Sequence, residues 1–236
     1  AAAFQAETRL NPGKADAYYN LGNALYQDER FADAAAAYQQ AVALNGNNDL
    51  YFSGLGKSML ALKRYDKAVA ALQEATRLNV KPGDVDEHYY LGQAQAGLGR
   101  YDEAIAAYQA ALNLIPVRAD VRAALARALY AENRYDEAFQ AFQQAIATKP
   151  YYEPAYLDYA ADLQLQGRSG EAVAVLQQGA GIFPGSAELH YHLGVLYAAT
   201  DRLNDAIREW REALRLDPAH AEARAALGRA KVPVNF

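Results

Sequence analysis

A chain of 236 residues with 23 basic and 28 acidic side chains has a formal charge of −5 and an isoelectric point near 5.4. The charges split evenly, 11 basic and 13 acidic through Arg118 and 12 and 15 after it, so no basic block exists to grip a nucleic-acid backbone. Cysteine is absent, which excludes disulfides and thiolate metal sites and suits cytoplasm and periplasm equally. No apolar run reaches the ~20 residues of a membrane span, and the mean hydropathy is −0.26. A soluble chain is expected.

The first stretch, Ala1 to Leu10, lacks the basic start and apolar run of a secretory signal. Phe4-Gln-Ala-Glu-Thr-Arg-Leu-Asn-Pro12 matches Trp210-Arg-Glu-Ala-Leu-Arg-Leu-Asp-Pro218 in length and ending. It is expected to be the second helix of a helix pair, left by processing or truncation or serving as a cap (1–14). Further on, Pro116, Pro150, Pro184 and Pro218 follow one another at 34-residue intervals. Self-similarity of that length marks a solenoid.

Six units fill the frame: 15–48, 49–84, 85–118, 119–152, 153–186 and 187–218. Each predicts two amphipathic helices joined by a tight turn. The first carries an apolar triplet, Tyr18, Leu21 and Leu25 in unit one, with Gln95 an imperfect third member in unit three. A small residue follows the middle member: Gly22, Gly56, Gly92, Ala126, Ala160 and Gly194. The second helix opens on acids such as Asp66, Asp102 and Asp136, which complement the helix dipole. It then places a large residue at Tyr38, Leu72, Tyr108, Phe142, Leu176 and Trp210. Large side chains on small ones let two helices approach closely. Unit two is two residues longer, through Asn79–Asp84, and should perturb the helical pitch there. A more polar helix is expected to cap the array at 219–231, followed by an extended tail at 232–236.

Chemistry is scarce. Gly54-Leu-Gly-Lys-Ser58 resembles the end of a phosphate loop, but Tyr51 stands where the motif's first glycine belongs, and the segment is predicted helix. His190 and His192, two apart, point to different helix faces, so no zinc site is expected. No nucleophile–base pair, carboxylate pair or metal-ligand cluster emerges. Neither enzyme activity nor a cofactor is expected.

Spacing, small positions, aromatic wedges and closing prolines together resemble the tetratricopeptide repeat, over nearly the whole chain. The resemblance implies an all-α solenoid of stacked helix-turn-helix repeats in a right-handed superhelix, with the first helices lining a concave groove. It places Tyr19, Tyr89 and Tyr191, fifth in their units, and Tyr26 and Tyr130, twelfth, on that groove. Neighbours there would be Asn20, Asn23, Lys57, Leu60, Tyr90, Gln93, Arg127, Leu157, Asp158, Gln164 and His192. Tyrosine gives contact area at low entropic cost, so the resemblance implies a non-catalytic scaffold that binds a protein or peptide segment. The family's carboxylate clamp is not reproduced: Tyr19 takes the expected lysine's place and unit two offers only Lys57. The alternative is an architectural subunit that self-associates or packs within a larger assembly.

Overall fold

The computed structural model describes residues 2–78 and 85–230. The insertion at Asn79–Asp84 and the tail at 232–236 lie outside them. The chain forms two compact units, 1–134 and 135–236. Unit 1 holds α1 (Ala2–Leu10), α2 (Ala15–Gln27), α3 (Phe31–Leu44), α4 (Asp49–Ala61), α5 (Tyr65–Leu78), α6 (Val85–Gly97), α7 (Tyr101–Leu114) and α8 (Ala119–Ala131). Unit 2 holds α9 (Tyr135–Thr148), α10 (Glu153–Leu165), α11 (Ser169–Ile182), α12 (Ala187–Ala199), α13 (Leu203–Leu216) and α14 (Ala221–Arg229). Among the described residues there is no strand and no helix long and apolar enough to cross a membrane.

One turn recurs. Glu29, Lys63, Gly99, Asn133, Gly167 and Asp201 all have φ between 56° and 73°. An arginine follows each of them, and its amide donates to a carbonyl five residues back: Arg30 to Leu25 (2.9 Å), Arg64 to Met59 (2.8 Å), Arg202 to Tyr197 (2.8 Å). This left-handed residue and six-to-one bond form the C-cap that ends an α-helix and reverses the chain. Glycine holds the position without steric cost only at Gly99 and Gly167. The arginine then opens the second helix, pairing with an acid three residues on at Arg30–Asp33, Arg168–Glu171 and Arg202–Asp205.

Small-on-large packing closes four of the helix pairs. Tyr38 lies against Gly22 of its own pair and Gly54 of the next, where added Cβ atoms would meet its ring at 2.7 and 2.5 Å. Leu72 presses on Gly56, Tyr108 on Gly92 and Trp210 on Gly194 in the same way. Tyr38, Leu72, Tyr108 and Phe142 are at most 2% exposed, and burying such a side chain contributes roughly 1.5–3 kcal/mol.

The buried triplet differs from expectation by one place. The third residue of each first helix is buried throughout: Ala17, Tyr51, Glu87, Val121, Ala155 and Leu189. Tyr18, in the fourth place of unit one, is only half-buried. In unit two this residue, Tyr51, reaches back to Asp16 of the preceding helix pair. Gln95 is buried in a place held by Leu or Met in neighbouring units, and its side-chain oxygen has no hydrogen-bond partner among the described residues.

Candidate functional site

In unit 1 the first helices adjoin in series, α2 with α4, α4 with α6 and α6 with α8. This row carries most of the tyrosines singled out above. Tyr19 is half-buried, with ring centroids 5.9 Å from Tyr38 and 5.3 Å from Tyr51. Tyr26 meets Phe31 edge-on at 5.1 Å, and burial raises its hydroxyl above the ordinary phenol value. On α6, Tyr90 packs beside Leu60 against the apolar cluster around Met59 and Leu91. The Lys57 ammonium lies 4.8 Å from the Tyr90 ring centroid. Burial first, then the nearby Asp86 and Tyr26, pushes the Tyr90 hydroxyl up.

These groups share one property. The hydroxyls of Tyr19, Tyr26 and Tyr90 make no hydrogen bond among the described residues, and Lys57 has no carboxylate partner there. Half-buried rings with unused hydroxyls beside an ammonium that has no carboxylate present an amphipathic surface. Leu60, Gln93 and Arg127 line a neighbouring cavity of about 490 Å³ together with Tyr65, Tyr101 and Tyr108.

Other expected residues have structural partners. Asn23 accepts from the Tyr38 hydroxyl at 2.7 Å, which satisfies the phenol of a core wedge. Tyr89 packs on Tyr90 and Tyr108 at 5.5 and 6.1 Å, and the Arg118 guanidinium lies 5.6 Å above it. Arg118 is held by Asp86 at 2.9 Å and Asp120 at 2.7 Å, and the Asp120 carboxyl is lowered by it. Tyr89 therefore joins one helix pair to the next. Asn20 and Tyr130 are half-buried on α2 and α8.

Unit 2 carries the remainder. Leu157 and Asp158 are half-buried on α10, while Gln164 is exposed. Tyr191 packs against His192 and His220 at 5.1 and 5.0 Å, so much of its ring covers the start of α14. His192 reaches Glu188 at 3.2 Å, whereas His190 pairs with Glu209 at 2.8 Å. The two histidines serve different faces, and no cluster of metal-ligating groups occurs among the described residues.

Gly54 and Gly56 are packing glycines on α4, against Tyr38 and Leu72, and Ser58 bonds back to the Gly54 carbonyl at 2.9 Å. This is helix interior, as expected. Tyr51 went unrecognised as a packing residue. It is 2% exposed and donates to Asp16, and burial with that carboxylate pushes its hydroxyl up to about 12. The run of turn arginines was also missed, though their regular spacing is visible in the sequence.

Three profiles described as tetratricopeptide repeat match residues 1–49 with 54–118, 129–180 and 187–220. The chain belongs to the tetratricopeptide repeat family. Among solved structures it resembles PilW, a widely conserved type IV pilus biogenesis factor, with a TM-score of 0.75 and 18% identity over 90% of this chain and 98% of that one. It also resembles a chain of the APC/C hetero-tetramer Cut9-Hcn1 (TM-score 0.70, 17% identity, 97% of this chain), of which it spans 45%. YrrB, a protein with an unusual peptide-binding site, aligns with a TM-score of 0.56 and 22% identity over 96% of this chain and 98% of its own. At such identities the likeness shows the fold. A search of curated proteins returned no sequence match.

Proposed function

We propose that this protein is a non-catalytic scaffold whose α2–α4–α6 surface binds a peptide segment of a partner protein. The observation that carries the reading is the set Tyr26, Lys57 and Tyr90. Two rings with unbonded hydroxyls and a lysine without a carboxylate stand on three adjoining first helices, with the ammonium 4.8 Å from the Tyr90 ring centroid. Helix packing holds these rings before a partner arrives, so the ordering cost falls on the peptide. Such a surface favours a segment with apolar side chains for the rings and one acidic side chain for Lys57. Leu60, Gln93 and Arg127 extend it along the row. Asn20, Asn23, Tyr19, Tyr89 and Tyr130 support or border it. Leu157, Asp158, Tyr191 and His192 would form a separate contact surface on unit 2. The peptide-binding site of YrrB and the hetero-tetramer of Cut9-Hcn1 support an interaction role on this fold.

Selection from a displayed random-peptide library on the immobilised protein tests the reading. Enriched peptides should share an acidic residue near two apolar ones. They should bind Lys57→Glu at least about tenfold more weakly, with its melting temperature unchanged. Enrichment without an acidic position, or equal affinity for the variant, would contradict it.

A further inference from the structure

Tyr108 breaks a rule that the other core phenols keep. Tyr38, its counterpart in unit one, donates to Asn23 at 2.7 Å, and Tyr51, Tyr156, Tyr159 and Tyr197 are bonded as well. Tyr108 is equally buried, 2% exposed with its ring on Gly92, yet its hydroxyl has no partner among the described residues. Gln93 holds the place of Asn23 in unit three and makes no bond to it. A buried phenol without a partner calls for an acceptor from outside the protein.

The space it meets has one sign of charge. Tyr108 lines the cavity of about 490 Å³ together with Lys63 and Arg127, and no aspartate or glutamate among the described residues lines it. Lys63 is exposed and forms no ion pair among the described residues. Burial first, then Tyr89, pushes the Tyr108 hydroxyl well above the ordinary phenol value, whereas the Arg127 charge acts the other way and so is felt at that hydroxyl. The phenol therefore stays a donor at neutral pH. Tyr65, whose ring lies over Gly97, and Tyr101 add two more hydroxyls without partners there. Donors and cations converging on one space suit an anionic acceptor.

The cavity adjoins the surface around Lys57 and Tyr90. Leu60 stands three residues after Lys57, and Gln93 three after Tyr90, a shift of about 4.5 Å along each helix. Side chains on one face of an extended segment recur about every 7 Å. We propose, on the peptide reading above, that the cavity takes a second acidic side chain of the same segment, two residues from the acid at Lys57. Its carboxylate accepts from the Tyr108 hydroxyl, and Lys63 and Arg127 supply the opposite charge. Glutamate fits better than aspartate, because a hydroxyl on a side chain so deeply buried is reached only by the longer acid. The segment is read as two acids with one residue between them.

Calorimetric titration of a library-selected peptide tests this, and the enriched peptides should carry the second acid. Tyr108→Phe removes only the hydroxyl, and Phe142 fills the same place in unit four, so the variant should keep the parental melting temperature. It should bind at least about tenfold more weakly. Replacing the second glutamate of the peptide with methionine should cost a similar factor on the parent and almost nothing more on Tyr108→Phe. Lys57→Glu, titrated with the same peptide, separates the two readings. Weaker binding to Lys57→Glu with full affinity for Tyr108→Phe would leave the peptide surface standing and overturn the role of the cavity. Enriched peptides without a second acid, or losses from Tyr108→Phe and methionine that simply add, would overturn it as well. Full affinity for both protein variants would sink both readings.

Discussion

The two units use tyrosine in different ways. In unit 2, Tyr156, Tyr159 and Tyr197 are at most 4% exposed, and every hydroxyl is bonded: to the Pro150 carbonyl at 3.1 Å, to Gln143 at 3.1 Å and to Gln177 at 2.7 Å. Unit 1 has such tyrosines too, Tyr38 bonded to Asn23 and Tyr51 to Asp16. It also has a second set, Tyr19, Tyr26 and Tyr90, half-buried with unbonded hydroxyls on adjoining helices, whereas the half-buried Tyr191 of unit 2 has its ring against His220. A buried hydroxyl without a partner costs about 1–3 kcal/mol, so core tyrosines come with acceptors or donors. Tyrosines that keep one face toward solvent escape that demand. The state of the hydroxyl separates rings that hold the fold from rings available to a partner.

The separation can be attacked first at the core. Tyr156→Ala should cost about 3–5 kcal/mol, and Gly92→Ala, which drives a Cβ to 2.5 Å from the Tyr108 ring, about 2–3 kcal/mol. Both are read by urea denaturation. Gln95→Leu should work in the opposite direction. It replaces a buried, unpartnered amide oxygen with the side chain used in neighbouring units, for a gain of about 1–2 kcal/mol. A loss there would mean that Gln95 has a structural role of its own.

Tyr51→Phe sharpens the comparison through pH. Burial, then the Asp16 carboxylate, pushes its hydroxyl up to about 12 in the fold, against about 10 unfolded. A raised folded value means that the stability contributed by the neutral hydroxyl is complete below pH about 10. It is lost as pH rises from 10 toward 12. The variant should lose about 1–2 kcal/mol at neutral pH and unfold less steeply in alkali. Smallest of all, Tyr26→Phe and Tyr90→Phe should change stability by no more than about 0.5 kcal/mol, because their hydroxyls hold nothing within the described structure.

The repeat itself was plain in the sequence because its packing rule recurs with visible residue types. Glycine or alanine meets a large side chain, and a proline closes the unit. What stayed hidden recurs in place but not in type. The third position runs Ala17, Tyr51, Glu87, Val121, Ala155, Leu189, a series united only by burial. Glu29, Lys63 and Asp201 adopt left-handed backbone without glycine to announce it. The candidate surface was legible as a set of helix places, whereas the duties of its members depend on neighbours from other pairs. Asn23 had the look of a recognition residue, yet it serves the Tyr38 hydroxyl. Tyr89 is covered by Arg118, 29 residues on at the N-cap of α8, a contact that no local pattern encodes.

The most direct test of the account is a charge-swapped titration at Lys57. An acidic peptide from the library selection is measured by calorimetry against the parent protein and Lys57→Glu. The same peptide with its acid replaced by lysine is then measured against both. The account predicts at least about tenfold weaker binding when either charge is reversed alone, with recovery of most of the affinity when both are reversed. Losses that simply add, with no recovery in the double reversal, would contradict a peptide seated between Tyr26 and Tyr90 over Lys57.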